Sequence, residues 1–277
     1  MLYVCPTPIG NLEDITLRVL RVLQEVDLIL AEDTRRTGQL LHHYQIARPV
    51  ESFHEHNEKD KTARVLEKLR QGQDIALVCD AGTPGISDPG AFLLHAVIEE
   101  GLPLEVLPGA NAALLGFLQS GLLCPRFVFY GFLASRRPER LRELEQLSAL
   151  PYPIIFYEAP HRLQAMLADL LAVFGDRRAS VSRELTKHFE ETRRGPLSEL
   201  VAYFSESKPR GEFVVTVAGA EEVKEEKSED DILRALQELM AGGLSRKSAV
   251  SQVSEEYRLP RNYVYGLALR LKRQDQD

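Results

Sequence analysis

Short apolar runs alternating with helical stretches, five times before residue 110, constrain this chain more than any other feature. Leu2–Cys5, Asp27–Ala31, Val50–Phe53, Ile75–Cys79 and Leu104–Leu107 are too short for buried helices and read as strands. Between the first two, Ile15, Val19, Val22 and Val26 recur at steps of four, three and four, which puts them on one helix face. The segments 57–70 and 91–100 also read as helices, with Gly72 and Gly101 placed as C-terminal stops. Strand–helix alternation of this kind predicts a mainly parallel sheet covered on both faces.

The unusual residues of this half all follow a strand. Pro6-Thr7-Pro8-Ile9-Gly10-Asn11 follows the first, Glu32-Asp33-Thr34-Arg35 the second and His54-Glu55-His56-Asn57 the third. Residues 80–90, DAGTPGISDPG, follow the fourth, and Pro108-Gly109-Ala110-Asn111 follows the fifth. Open α/β sheets bind ligands at the carboxyl ends of their strands, so these loops form one wall of a site. The 80–90 loop has three glycines and two prolines, a rigid backbone with little side-chain bulk. It suits a flat polar ligand such as adenine and offers no charge for phosphate.

The alternation restarts after Pro125. Phe127–Tyr130, Ile154–Tyr157, Ala179–Arg183 and Glu212–Ala218 are strand candidates, with helical stretches near 140–147, 163–174 and 197–204. The loops here are charged: Ser135-Arg136-Arg137-Pro138, Glu158-Ala159-Pro160-His161-Arg162 and Glu184-Leu185-Thr186-Lys187-His188. The expected organisation is an α/β lobe over 1–120, a second over 121–220, and a linker with helical extension over 221–277. Residues 221–231 carry seven acids against two lysines and read as a solvated linker. Three helices follow, at 232–240, 245–257 and 261–272, and the junction at Arg258-Leu259-Pro260 suggests a helix-turn-helix. That extension either adds nucleic-acid contacts or packs as a cap on the body or a partner subunit.

Composition narrows the classes. At 44% hydrophobic and 27% charged residues, with no apolar run near the ~20 residues that span a bilayer, the chain is expected to be soluble. The N-terminus lacks a basic leader, and Cys5, Cys79 and Cys124 have no CxxC spacing, so a cytoplasmic setting without zinc is expected. His54-x-His56 has no third ligand partner nearby, so no metal is expected, and Asn57 is expected to cap the next helix. A net charge of −7 means that any RNA site must be a local basic surface. The dinucleotide, P-loop and nucleophile-elbow glycine motifs are all missing.

Taken together, PTPIGNLEDIT, AEDTR, DAGTPGISDPG, LPGANAA, YEAPHR and RELTKHFEE resemble the ribosomal RNA small-subunit methyltransferase I family, within the tetrapyrrole (corrin/porphyrin) methylase superfamily. The resemblance runs from Leu2 to about Ala218, and the C-terminal helices resemble the family's extension. Gly82-Thr83-Pro84 stands where small-molecule members of the superfamily usually show Gly-Asp-Pro. The resemblance implies a two-lobed α/β tetrapyrrole methylase-like fold with a C-terminal helical extension, S-adenosylmethionine in the cleft, and a homodimer. By position, Pro8, Gly82, Thr83, Gly85, Ile86, Ser87, Ala112 and Ala113 would line the cofactor pocket, closed by Tyr157 and Leu185. It further implies a cytidine 2′-hydroxyl in the decoding region of 16S rRNA as target, hence the small ribosomal subunit as partner.

A ribose hydroxyl is a very weak acid, so transfer to it needs a base or a cation that stabilises the oxygen. Asp33, Glu158, His161, Glu184 and Lys187 are the candidates on post-strand loops. Either Lys187 or Arg35 would stabilise the oxygen, and either Asp33 or Glu184 would orient the hydroxyl or take its proton. The bland readings are a Glu184–Lys187 surface pair and an Asp33 helix cap. Arg35, Arg136, Arg137, His161 and Arg162 are candidate RNA contacts. The rival functions are methylation of a tetrapyrrole or protein acceptor, and a non-catalytic RNA-binding factor on the same fold.

Overall fold

The computed structural model describes residues 1–122, 124–206, 211–221, 228–257 and 259–274. Its first sheet contains β1 (Leu2–Val4), β2 (Leu28–Ala31), β3 (Val50–Ser52), β4 (Ile75–Val78) and β5 (Leu104–Val106). They run parallel in the order β3-β2-β4-β1-β5. Every residue of β2 and β4 is buried, which explains why these strands read as unbroken apolar runs instead of alternating ones. Helices α1 (Leu17–Glu25) and α2 (Thr34–His43) cover one face through Val19, Val22, Leu23 and Leu41. Helices α3 (Glu58–Arg70) and α4 (Ala91–Glu99) cover the other through Val65, Leu66, Leu69, Leu93 and Val97. Gly72 and Gly101, at φ of 84° and 64°, end α3 and α4 in the left-handed region where glycine has no Cβ penalty.

The second sheet departs from simple β/α alternation. It holds β6 (Val128–Phe132), β7 (Ile154–Glu158), β8 (Arg178–Arg183), β9 (Glu191–Pro196) and β10 (Phe213–Val217) in the order β6-β7-β10-β8-β9. Only β6 and β7 are parallel. Helices α6 (Arg137–Leu147), α7 (Leu163–Phe174) and α8 (Leu197–Ser205) bury one face of it. The other face receives α5 (Ala112–Ser120), whose Ala113 and Phe117 pack with Ile155, Leu185 and Val214. Gly116 permits that approach, since a Cβ there would sit 2.8 Å from Val214 Cβ. The helix before the lobe boundary expected at residue 120 therefore packs on the second sheet. Both sheets belong to one compact unit, Met1–Glu221.

A second unit, Glu222–Asp277, contains α9 (Glu229–Ala241), α10 (Arg246–Glu256) and α11 (Arg261–Gln274). The three enclose their own core of Ile232, Leu236, Ala249, Val250, Val253, Val264, Leu267 and Ala268. Ser228 starts α9 with a capping box to Asp231. Most of the expected acidic linker, residues 222–227, and Arg258 at the expected helix junction lie outside the described residues. Among the described residues no helix is long and apolar enough to cross a membrane.

Candidate functional site

The carboxyl edge of the first sheet faces the loops of the second across a cavity of about 420 Å³, within the range of small-molecule sites. From the first lobe come Ile9, Glu32, Arg36, residues 80–83 and 86–88, Asn111 and Ala112. From the second come Phe132, residues 157–160, Glu184, Leu185, Lys187 and residues 212–214. The floor is pinned by Thr7 and Gly82, whose backbones bond reciprocally at 2.8 and 3.0 Å. Gly82, at φ 90°, supplies a conformation a side chain would resist, and Thr83 Oγ1 donates to Ala110 O at 3.1 Å.

Backbone strain concentrates here. Among the described residues four non-glycine residues have positive φ, and three of them, Ser87, Glu184 and Thr186, lie on the two loops that face each other across the cavity. Such conformations cost about 1–3 kcal/mol each and persist where the surroundings enforce them. One enforcing contact is visible: Asn11 N–H donates to Thr186 Oγ1 at 3.1 Å. Gly10 lies so close that a Cβ there would strike Lys187 Cγ and stand 2.9 Å from Leu185 O. Gly10→Ala is expected to displace the Lys187 loop and lower kcat about tenfold with little change in melting temperature. An unchanged kcat in steady-state assays would show that the loop tolerates the shift.

Of the ten residues expected to hold a cofactor, Gly82, Thr83, Ile86, Ser87, Ala112, Tyr157 and Leu185 line this cavity. Pro8 borders a smaller neighbouring one of about 230 Å³ beside Arg36 and Asp80. Gly85 backs onto Leu94, and buried Ala113 donates its N–H to Tyr157 Oη at 3.1 Å. Burial pushes the Tyr157 phenol up to about 12, so this oxygen stays protonated.

The expected catalytic residues separate. Glu184 and Lys187 lie on the cavity wall with Nζ and Oε1 3.2 Å apart. Asp33 is not among the lining residues. It caps α2 by accepting Arg35 N–H at 2.8 Å, and its two oxygens hold the Arg35 guanidinium at 3.3 and 3.1 Å. Those bonds keep the Asp33 carboxyl below the usual range, which makes it a weak base. Glu158 borders the cavity, yet its side chain has no exposed surface. By strand alternation it shares the core-facing side of β7 with Ile154 and Phe156, opposite Tyr157. Its Oε1 accepts Ala159 N–H at 2.8 Å and pairs with Arg162 at 3.1 Å, which gives it a structural position.

None of the five expected RNA contacts lines the cavity itself. Arg162 is committed, donating to Ala134 O at 3.2 Å and Ser135 Oγ at 3.1 Å as well as to Leu133 O. Arg140 is buried against Asp169 at 2.7 Å and also donates to Ser135 O at 3.2 Å. These two arginines clamp the 133–136 loop from beneath; Arg136 is exposed at its end, Arg137 opens α6 with its Nε donating to Asp169 Oδ1 at 2.9 Å, and His161 is exposed nearby. Arg35 is exposed next to the first-lobe wall. Asn57 occupies the N-cap position of α3, but its Oδ1 accepts His54 N–H at 2.9 Å and makes no bond to the helix.

Sequence reasoning passed over Glu32, Arg36, Asp80, Asp88 and Glu212. Asp80 and Asp88 nearly bracket the glycine-rich loop, a signal that was available. Glu212 joins them only because β10 enters the second sheet antiparallel at its edge over the cavity. Among the described residues the wall therefore carries the carboxylates of Glu32, Asp80, Asp88, Glu184 and Glu212, with sealed Glu158 behind it, against the cations Arg36 and Lys187. A wall so charged disfavours a polyphosphate and favours a cationic ligand. Small Ala112 and apolar Ile9, Ile86 and Phe132 beside free loop backbone suit a flat nucleoside. A nucleoside bearing a sulfonium and an ammonium, such as S-adenosylmethionine, fits both properties.

Comparison with known proteins bears directly on this cavity. The pattern of the Tetrapyrrole (Corrin/Porphyrin) Methylases matches residues 1–201, and that of the RsmI C-terminal HTH domain matches 226–272. The chain is 48% identical to "Ribosomal RNA small subunit methyltransferase I" of Synechocystis sp. over 98% of both chains. It is 44% identical to the protein of the same name from Bacillus subtilis, over 96% of this chain and 92% of that one. The chain belongs to the ribosomal RNA small-subunit methyltransferase I family. Among solved structures, the methyltransferase CobJ superposes with a TM-score of 0.60 at 19% identity, covering 79% of this chain and 94% of that one. Uroporphyrin-III C-methyltransferase from Thermus thermophilus, complexed with S-adenyl homocysteine, does so at 0.56 and 17%, covering 77% and 96%. These distant likenesses establish the tetrapyrrole-methylase fold for this member of the family.

Proposed function

We propose that the protein transfers the methyl group of S-adenosylmethionine to the ribose 2′-hydroxyl of a cytidine in the decoding region of small-subunit ribosomal RNA. The observation that carries this reading is the near-full-length 48% identity to a ribosomal RNA small subunit methyltransferase I, spanning the cavity loops and the C-terminal helices alike. Gly82, Thr83, Ile86, Ser87, Ala112, Tyr157 and Leu185 would hold the donor. Bound there, it supplies an electrophilic methyl carbon on a positively charged sulfur. The chain contributes alignment and charge: the clamped loops fix the approach of the acceptor oxygen, and Lys187 stabilises negative charge developing on it. Glu184 orients Lys187 through their 3.2 Å pair.

Recognition of the acceptor rests on local cations, because the whole chain is acidic at −7. Arg136 on the clamped 133–136 loop, Arg137 at the start of α6 and Arg35, all with exposed side chains, would meet phosphates. A homodimer in the cytoplasm is part of the same reading. Leu114 and Leu118, one turn apart and exposed on α5, form an apolar stripe that a second copy would cover.

The test is transfer of labelled methyl from S-adenosylmethionine to small ribosomal subunits from cells lacking this protein, with naked rRNA and a precorrin-type tetrapyrrole in parallel. Label surviving nuclease digestion as a 2′-O-methylated cytidine is the expected result. Label on the tetrapyrrole alone would overturn the acceptor and leave the methyltransferase class in place.

A further inference from the structure

The cavity carboxylates differ in how their charge is already used. Asp80 Oδ2 pairs with Arg36 at 3.1 Å and its Oδ1 accepts Asp33 N–H at 3.1 Å. Glu32 accepts Asp80 N–H at 3.3 Å, Glu184 pairs with Lys187, and Glu158 is sealed in the core side of β7 with Arg162. Glu212 is exposed at the mouth. Asp88 is different. It is half-buried on the cavity wall, and among the described residues neither a cation nor a backbone N–H is bonded to its carboxyl; the buried Cys79 thiol lies near it and donates to Ala81 O at 3.5 Å. It follows Ser87, one of the residues held at positive φ, so the loop that carries it is fixed.

We propose that Asp88 accepts the proton of the ribose hydroxyl during methyl transfer, a role that rests on the methyltransferase reading above. In that step the O–H bond breaks and its proton passes to an Asp88 carboxylate oxygen. The electron pair left on the ribose oxygen forms the new C–O bond to the methyl carbon. The C–S bond of the sulfonium donor breaks with its electron pair remaining on sulfur, so the donor departs as a neutral thioether. Lys187 and Asp88 then divide the work, one holding the oxygen's charge and the other taking its proton.

The surroundings suit a base. Asp88 faces Cys79 at the end of β4, Glu32 after β2, Asp80 at the start of its own loop, Glu212 before β10 and Tyr157 on β7. The nearby cation Arg36 is spent on Asp80, and Glu58 of α3 is spent on Gly90 N–H at 3.1 Å. Burial, reinforced by the charge of Glu32, pushes the Asp88 carboxyl up to about 7. A base of that strength is half ionised near neutral pH, where general-base catalysis is most effective.

The test compares wild type with Asp88→Asn and Asp88→Glu, using labelled S-adenosylmethionine and small subunits between pH 5.5 and 9. Wild-type kcat should rise through a midpoint near 7. Asp88→Asn should lower kcat about 100-fold and remove that limb, while Asp88→Glu restores part of both. The dissociation constant for S-adenosylmethionine, measured by calorimetry, should rise far less than kcat falls, because the other wall carboxylates keep the cavity anionic. A readout free of turnover comes from carbon NMR of carboxyl-labelled aspartate, where one resonance should titrate near 7 and vanish in Asp88→Asn. Because the folded protein binds the Asp88 proton more tightly than the unfolded chain, stability is lost as pH rises toward that midpoint. Asp88→Asn should therefore melt higher than wild type at pH 8.5, keep a smaller advantage at pH 5, and lose it only as pH falls below the ordinary carboxyl range near about 4. A limb retained in Asp88→Asn, or donor affinity falling in step with kcat, would overturn the proposal, the latter by making Asp88 an anchor for the donor. Wild type that methylates no RNA at all would overturn the function as well, and the same series tells the two failures apart.

Discussion

Asp169→Ala is expected to destabilise the protein by about 3–5 kcal/mol, because it strands a buried guanidinium. Arg140 is 5% exposed and donates to Asp169 Oδ2 through Nε at 2.9 Å and Nη2 at 2.7 Å. Without that carboxylate its remaining partners are the carbonyls of Ser135 and Ala134, the latter at a weak 3.5 Å. The expected fall in melting temperature is roughly 6–20 °C, at about 2–4 °C per kcal/mol for a unit of this size. Replacing Arg140 and Asp169 by apolar residues, Arg140→Met with Asp169→Leu, should recover most of the loss, since an apolar pair needs no desolvation and Asp169's other partner, Arg137, is 68% exposed and can turn to water. Urea unfolding followed by circular dichroism measures both variants against wild type. A single-variant loss below about 1 kcal/mol would mean that the arginine finds water or another acceptor. The pair also anchors the 133–136 loop, so the restored double variant should still bind RNA more weakly while holding S-adenosylmethionine normally.

The elements legible in the sequence were those whose burial leaves an unbroken apolar signature. β2 and β4, buried on both faces, stand out as LILA and IALV. β9 does not, because ETRRGP is an edge strand whose arginines face solvent, and nothing in its pattern distinguishes it from a charged loop. Helix α2 shows only in its cap at Asp33, for a related reason: only Thr37 and Leu41 of its ten residues are buried, beneath a surface of arginine and histidine. Helix α5 is visible as an apolar stretch, but its packing on the second sheet depends on Gly116 meeting Val214, a contact between segments about a hundred residues apart.

The site divides in the same way. Loops at strand ends could be placed on one edge from the alternation alone, and Gly82, Thr83, Ile86 and Ser87 reach the cavity as that placement implied. Asp33 and Asp88 both follow strands in the sequence, and nothing local says which faces the cavity. Asp33 turns to cap α2, whereas Asp88 is carried inward by a loop whose Gly85 and Gly90 both have positive φ. Charge state is less legible still, since what acts on Asp88 comes from β2, β4, β7 and the start of β10 together.

Lys187→Ala is expected to lower kcat about 10²–10³-fold while leaving the affinity for S-adenosylmethionine nearly unchanged, the signature of a group that acts on the transition state. Among the described residues Lys187 and Arg36 are the cations on the cavity wall, and Arg36 is held by Asp80 at 3.1 Å. That leaves Lys187 as the group able to meet negative charge growing on an acceptor oxygen. It is held by Glu184 at 3.2 Å and by a loop whose Glu184 and Thr186 both have positive φ, at 51° and 66°. Gly211 lets the Glu184 side chain lie flat across it, since a Cβ there would collide with the carboxylate. Lys187→Arg keeps the charge but spreads it over a wider planar group, so it should recover only part of the rate. Glu184→Gln, which frees Lys187 without removing its charge, should cost less than Lys187→Ala. If instead Lys187→Ala raised KM for the small subunit and left kcat intact, Lys187 would be an RNA contact, and stabilisation of the acceptor oxygen would have to come from backbone N–H groups of the same loop.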